Sequence, residues 1–166
     1  MRPTTAIIDL NAFRRNVSEL KKLAGDRHLM AVVKANAYGH GSIPCAFAAL
    51  ESGADWLGVA IPEEGCELRS AGVTAPILVL GACLDNMITV AIAHDLSFPV
   101  FSAETVAAAN EVARALGKKA KLHIKIDSGM GRIGLRTIEE LDRVLTQFSK
   151  CPQHRARGSI YALLLL

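Results

Sequence analysis

Five short apolar runs, at 29–33, 56–60, 77–80, 98–101 and 122–126, stand along the chain, the first running into a glycine-bearing loop and the other four followed within two residues by glycine, proline, serine or aspartate. Stretches of helical period separate them, and this alternation predicts parallel strands joined by crossover helices. The helix punctuation is legible. Pro62 stands at a first-turn position and Gly72 just past the end of a helix over 63–71, while Ser102 and Gly117 bracket the next long one. Thr137 and Glu140 form a Thr-x-x-Glu capping box ahead of an apolar stripe of Leu141, Val144, Leu145 and Phe148. Before the first run, Phe13, Val17, Leu20 and Leu23 recur at helical spacing, with Asn11 as the expected N-cap and a short strand expected over 5–9. The chain has 166 residues. That is enough for one domain with a sizeable core but short of the roughly 250 residues of a complete eight-stranded β/α barrel.

Composition narrows the function classes. With 51% hydrophobic and 21% charged residues the chain reads as a globular α/β domain, not a disordered one. The net charge of +3 is spread out. The densest basic run, Gly117-Lys118-Lys119-Ala120-Lys121, reads as a solvated turn before a strand, so no nucleic-acid partner is expected. Cys45, Cys66, Cys83 and Cys151 are widely spaced, without a Cys-x-x-Cys pair or a histidine at a ligand interval, and read as reduced thiols with no metal site. No stretch before Asp9 has the length of a signal peptide, and the closing leucines are too few to span a bilayer, so a cytoplasmic location is expected.

Two segments carry titratable groups in suggestive places. The run VVKANAYGHG at 32–41 puts Lys34 where an apolar strand ends and a glycine-bearing loop begins. A lysine there is either an ordinary surface residue or a half-shielded amine able to lose its proton and attack a carbonyl. Tyr38 could reach a phosphate or a ring from the loop, or simply pack over the mouth of the sheet, and His40 reads as structural. The run LHIKIDSGMGRIG at 122–134 sets His123, Lys125 and Asp127 on one face of the fifth strand. These groups face a polar cavity or one another, unless the strand is an amphipathic edge facing water. The spacing Gly129-x-Gly131-x-x-Gly134 fits a dinucleotide fingerprint only weakly, because no acid follows in a suitable strand. Arg132 suits a carboxylate or phenolate oxygen, or a surface ion pair. Glu63, Glu64 and Glu67 read as acids favoured by a helix N-terminus.

Together, VVKANAYGHG and LHIKIDSGMGRIG resemble the alanine racemase family, fold-type III pyridoxal phosphate enzymes with a β/α barrel followed by a β-rich domain. The segments ADWLGVA at 54–60, EEGCELR at 63–69 and ILVLG at 77–81 are similar to the family too, so the resemblance runs from about residue 4 to 150. It implies an incomplete (β/α)8 TIM barrel with about five of eight barrel strands. It implies that Lys34 holds pyridoxal phosphate covalently and serves as the base for the α-proton on the D-alanine side. Tyr38 would contact the cofactor phosphate. Arg132 would lie near the cofactor's phenolic oxygen and the substrate carboxylate, and Lys125 matches a position carbamylated in some members. The substrate implied is alanine, interconverted between its L and D forms to supply D-alanine for peptidoglycan. The intact family member is expected to be a homodimer whose partner subunit supplies a second base, a tyrosine.

From about Cys151 the pattern stops. Residues 151–166 read as a tail foreign to the fold, and 1–150 as a partial cofactor-binding barrel. Gln153-His154-Arg155-Ala156-Arg157-Gly158 can be encoded as CAA CAT CGA GCT CGA GG, which one base later reads Asn-Ile-Glu-Leu-Glu-Gly and resembles the approach to a sixth strand. This suggests a frameshifted or prematurely stopped racemase, inactive by itself. The alternative is a non-catalytic pyridoxal phosphate-binding protein of the related single-domain barrel type.

Overall fold

A computed structural model describes residues 4–84 and 86–151. The chain opens with α1 (Leu10–Ala24) and β1 (Met30–Val32), followed by the short turn α2 (Lys34–Tyr38) and α3 (Ser42–Glu51). The alternation continues with β2 (Trp56–Val59), α4 (Pro62–Ser70), β3 (Ile77–Val79), α5 (Asn86–Ala93), β4 (Ser97–Val100), α6 (Ala103–Ala115), β5 (Lys121–Ile124) and α7 (Ile138–Ser149). All five expected strands form one parallel sheet in the order β1-β2-β3-β4-β5. Strands laid down in sequence order, with crossovers of one hand, put every helix on the same face and curl the sheet toward a barrel.

The two faces differ in composition and in burial. Leu57, Val59, Ile77, Val79, Phe98 and Val100 point to the helices and are wholly buried. Leu68 of α4, Val106 of α6 and Val144 of α7 close over them. The alternate residues, Met30, Trp56, Leu78, Leu80, Pro99, His123 and Lys125, line an open concavity on the other face. Curvature brings Trp56 of β2 and His123 of β5 edge to face, with ring centroids 5.5 Å apart across two intervening strands.

Local signals are obeyed at most helix ends. Ser102 caps α6 by accepting from the Thr105 N–H, and the Thr137/Glu140 capping box of α7 is complete in both directions. At the N-terminus two expectations are corrected. Residues 5–9 form no strand: no described strand pairs with them, and Ile7 is 89% exposed. The N-cap of α1 is Asp9, not Asn11, because the Asp9 carboxylate accepts from the Asn11 and Ala12 amides at 2.9 and 3.0 Å.

Asp55, just before β2, ties the start of the sheet to α1. Its Oδ2 accepts from Lys21 Nζ and from the Leu29 N–H, both at 2.8 Å, and His28 Nδ1 lies 3.5 Å from Oδ1. The Lys21 ammonium and these donors hold the carboxyl down to about 2. No disulfide joins the four cysteines, and burial pushes the Cys83 thiol up to about 12. Among the described residues no helix is long and apolar enough to cross a membrane. The tail from residue 152 onward, with its reading as foreign to the fold, lies outside the described residues.

Candidate active site

Lys34 follows β1 at the C-terminal edge of the sheet, where β/α folds gather their reactive loops. The loop expected there is instead a left-handed helical turn. Ala35, Asn36, Ala37 and Tyr38 all have φ between 50° and 55°, a conformation costing about 1–2 kcal/mol for each residue with a Cβ. Four residues hold it only because the surroundings over-determine it. Ala37 N–H donates to the Val33 carbonyl, and Gly39, His40 and Gly41 N–H groups donate back into the turn. Asn36 Oδ1 accepts from the Ser42 N–H at 2.8 Å, joining the turn to the first residue of α3. His40 Nδ1 lies 2.9 Å from the Ala37 carbonyl, the structural role expected of it. The turn places the half-buried Lys34 amine 5.9 Å from the centroid of the Tyr38 ring, which is 62% exposed.

The second group sits on and after β5. His123 and Lys125 line the open concavity, and the described contacts of the three polar residues on and just after that strand run to different partners. His123 meets Trp56, and Lys125 Nζ donates to the Leu80 carbonyl beyond β3 at 3.0 Å. Asp127 bends back into its own loop: Oδ1 accepts from the Gly129 and Gly131 amides at 3.1 and 2.9 Å, and Oδ2 from Arg136 Nε at 3.2 Å. Those amides hold the Asp127 carboxyl below the usual carboxylate range. Burial lowers the proton affinity of His123, and burial together with the Arg132 guanidinium lowers that of Lys125.

Gly134 lets this loop close. At φ 135° an added Cβ would stand 2.6 Å from the Asp127 backbone nitrogen, so only glycine lets the chain return to its Asp127–Leu135 hydrogen bond. Lys125, Asp127, Met130 and Arg132 line a small hollow there. The sequence-predicted residues therefore fall into two pairs on the same edge, Lys34 with Tyr38 and Lys125 with Arg132, after the first and last strands. Among the described residues no hydrogen bond or ion pair joins one pair to the other.

A family model described as "Alanine racemase, N-terminal domain" matches residues 8–161. The chain belongs to that family. It is 51% identical over 139 residues to an alanine racemase of Symbiobacterium thermophilum, a match covering 84% of this chain and 37% of the relative. The crystal structure of alanine racemase from Bacillus anthracis with bound L-Ala-P superposes with a TM-score of 0.83 at 43% identity, over 89% of this chain and 38% of that one. A histidine racemase from Leuconostoc mesenteroides subsp. sake shares the fold at a TM-score of 0.81 and 28% identity, over 87% and 39%. The chain thus spans about two fifths of the length of these racemases, and its sheet is the partial TIM barrel that the resemblance implied.

Two residues do more in this domain than their sequence context indicated. Glu64, read with Glu63 and Glu67 as a helix-dipole acid, accepts from the Ala35 N–H at 2.8 Å and the Ala60 N–H at 2.7 Å. Asp127 is the organiser of the glycine loop. An acid at the third position of a helix was the available signal for Glu64, since such residues reach back to the N-cap amide, and here the carboxylate reaches one residue further, to Ala60. Its second partner lies 29 residues earlier, where no local pattern points.

Proposed function

We propose that this chain is the lysine-bearing barrel portion of a pyridoxal phosphate-dependent alanine racemase. The observation that carries the reading is Lys34, an amine on a rigid left-handed turn at the C-terminal edge of β1, beside a phenol. The donor set fits the cofactor: an amine for its aldehyde, the exposed Tyr38 hydroxyl for its phosphate, and Arg132 for its phenolic oxygen or the substrate carboxylate. When bound, the cofactor supplies the electron sink that makes an α-proton acidic. Lys34 then accepts or returns that proton on the D-alanine side. Arg132 orients the carboxylate as a planar fork, and the hydrogen bonds around Ala35, Asn36 and Ala37 keep Lys34 from wandering. Alanine is favoured as substrate by the identity to named alanine racemases, against the lower identity to the histidine enzyme.

The test is titration of the purified chain with pyridoxal phosphate, borohydride reduction and peptide mapping. One adduct per chain at Lys34 is expected, and an adduct elsewhere would remove the reading. Inversion needs a proton donor on each face of the α-carbon, and the resemblance assigns the second to a tyrosine of a partner subunit. This portion by itself is therefore expected to leave L- and D-alanine uninverted in chiral chromatography. Two-way inversion by the purified monomer would place the second donor within these residues.

Lys125 is the proposed carbamylation site. Its neutral amine would attack carbon dioxide, forming the N–C bond of a carbamate and releasing a proton, and the resulting anion would attract Arg132 where the ammonium repels it. Because burial and Arg132 lower its proton affinity, the neutral fraction rises with pH and does so below the range of an exposed lysine. At fixed dissolved ¹³C-labelled carbon dioxide, a carbamate carbon signal should grow with pH and vanish in Lys125→Met. A signal unchanged in that variant would assign the group elsewhere.

A further inference from the structure

Glu64 is the third residue of α4, whose N-cap, Ile61, offers no side-chain hydrogen bond. An acid there is already favoured by the positive end of the helix and could remain in solvent. Instead its two oxygens are divided between two loops. Oε2 takes the amide of Ala60, directly after β2, and Oε1 takes the amide of Ala35, the first left-handed residue after Lys34. The internal hydrogen bonds of the turn begin only with the Ala37 amide, so Glu64 is the acceptor that closes the turn at the lysine end.

The position it ties to is itself fixed. Gly81 approaches so closely that an added Cβ would stand 2.6 Å from the Ala60 carbonyl oxygen, and the Gly81 N–H donates to that oxygen at 3.1 Å. A rigid point at the ends of β2 and β3 thus holds one carboxylate oxygen in place, and the other oxygen holds the start of the turn.

We infer that Glu64 is a positioning residue for the Lys34 amine, clamping the strained turn to the sheet so that the lysine side chain leaves the backbone in one direction. The inference rests on the reading of Lys34 as the cofactor-binding amine. It explains why a carboxylate stands there: two N–H donors converge on it, and a carboxylate offers only acceptors. Glutamine satisfies one amide and turns its own NH2 toward the other. Alanine satisfies neither.

The test uses the full chain with Glu64→Gln and Glu64→Ala, read by hydrogen exchange and by the rate of borohydride-trapped pyridoxal phosphate addition. In Glu64→Ala the amides of residues 35–41 should exchange at least about tenfold faster while β3 and β4 keep their protection, the scale set by one charge-assisted hydrogen bond. Trapping at Lys34 should slow by a similar factor, with Glu64→Gln between the wild type and Glu64→Ala. Faster exchange with unchanged trapping would overturn the positioning role, as would wild-type exchange and trapping in both variants. If Glu64→Ala loses protection throughout the fold, Glu64→Gln decides by the same two readouts. Absence of any adduct in the wild-type chain would strike the cofactor reading instead, leaving protection of the turn to judge the clamp.

Discussion

Lys34→Ala is expected to reduce the borohydride-stabilised pyridoxal phosphate adduct from one per chain to background, with the far-UV circular dichroism of the wild type retained. The fold loses little because Lys34 makes no ion pair among the described residues and is only half-buried. Its own φ lies outside the left-handed region that the next four residues occupy, so alanine fits without strain. A substitution of this kind usually changes stability by about 0.5 kcal/mol or less. The chemistry, by contrast, loses the amine at the end of β1 on which the adduct depends. Lys34→Arg sharpens the result, since it keeps a cation beside Tyr38 but presents a guanidinium that does not deprotonate and so cannot add to an aldehyde. Loss of the adduct in both variants assigns the amine. Adduct retained in Lys34→Arg would mean that the cofactor is held elsewhere and that Lys34 contributes charge alone.

The frame of this site was legible in the sequence because strands and helix ends are local signals. Thr137 and Glu140 lie three residues apart and complete each other's hydrogen bonds, so the sequence pattern and the geometry coincide. Asp9 and Asn11 show where such a signal blurs: both are good caps, and the choice depended on which carbonyl or carboxylate reached the first free amides. The strand expected over 5–9 failed for another reason, since β-structure needs a neighbour and the described residues supply none there. Nothing in Ala35-Asn36-Ala37-Tyr38 announces a left-handed turn, for only asparagine among them tolerates that conformation well. Besides its own backbone hydrogen bonds, the turn is met by Glu64, 29 residues from Ala35, and by the α3 amide that Asn36 accepts from. The contacts of His123 with Trp56 and of Lys125 with the Leu80 carbonyl depend likewise on sheet curvature, which a strand's own alternation does not encode, whereas Asp127 is taken by its own loop.

Phe98→Ala should lower the unfolding free energy by about 3–5 kcal/mol, a large part of the 5–15 kcal/mol typical of a domain. Phe98 is wholly buried on the helix-facing side of β4, paired in register with Leu122 of β5, and its removal leaves a cavity between two layers that cannot both collapse into it. Trp56→Ala provides the contrast. Trp56 is larger, yet it stands half-buried on the concave face, where its described ring partner is His123 and the opposite wall is open. That change should cost less, on the order of the 0.5–1.5 kcal/mol of an aromatic contact plus the partial burial. Urea unfolding of the two variants checks the order. Equal losses would mean that the concave face is packed as firmly as the helix layer. The same comparison bears on function, because the layer holding β1 to β5 in register lies on the side of the sheet away from the concavity. Phe98→Ala should therefore lower the yield of the Lys34 adduct in proportion to the folded fraction without moving the adduct to another lysine. An adduct that relocates in Phe98→Ala would mean that Lys34 is selected by something other than its place at the end of β1.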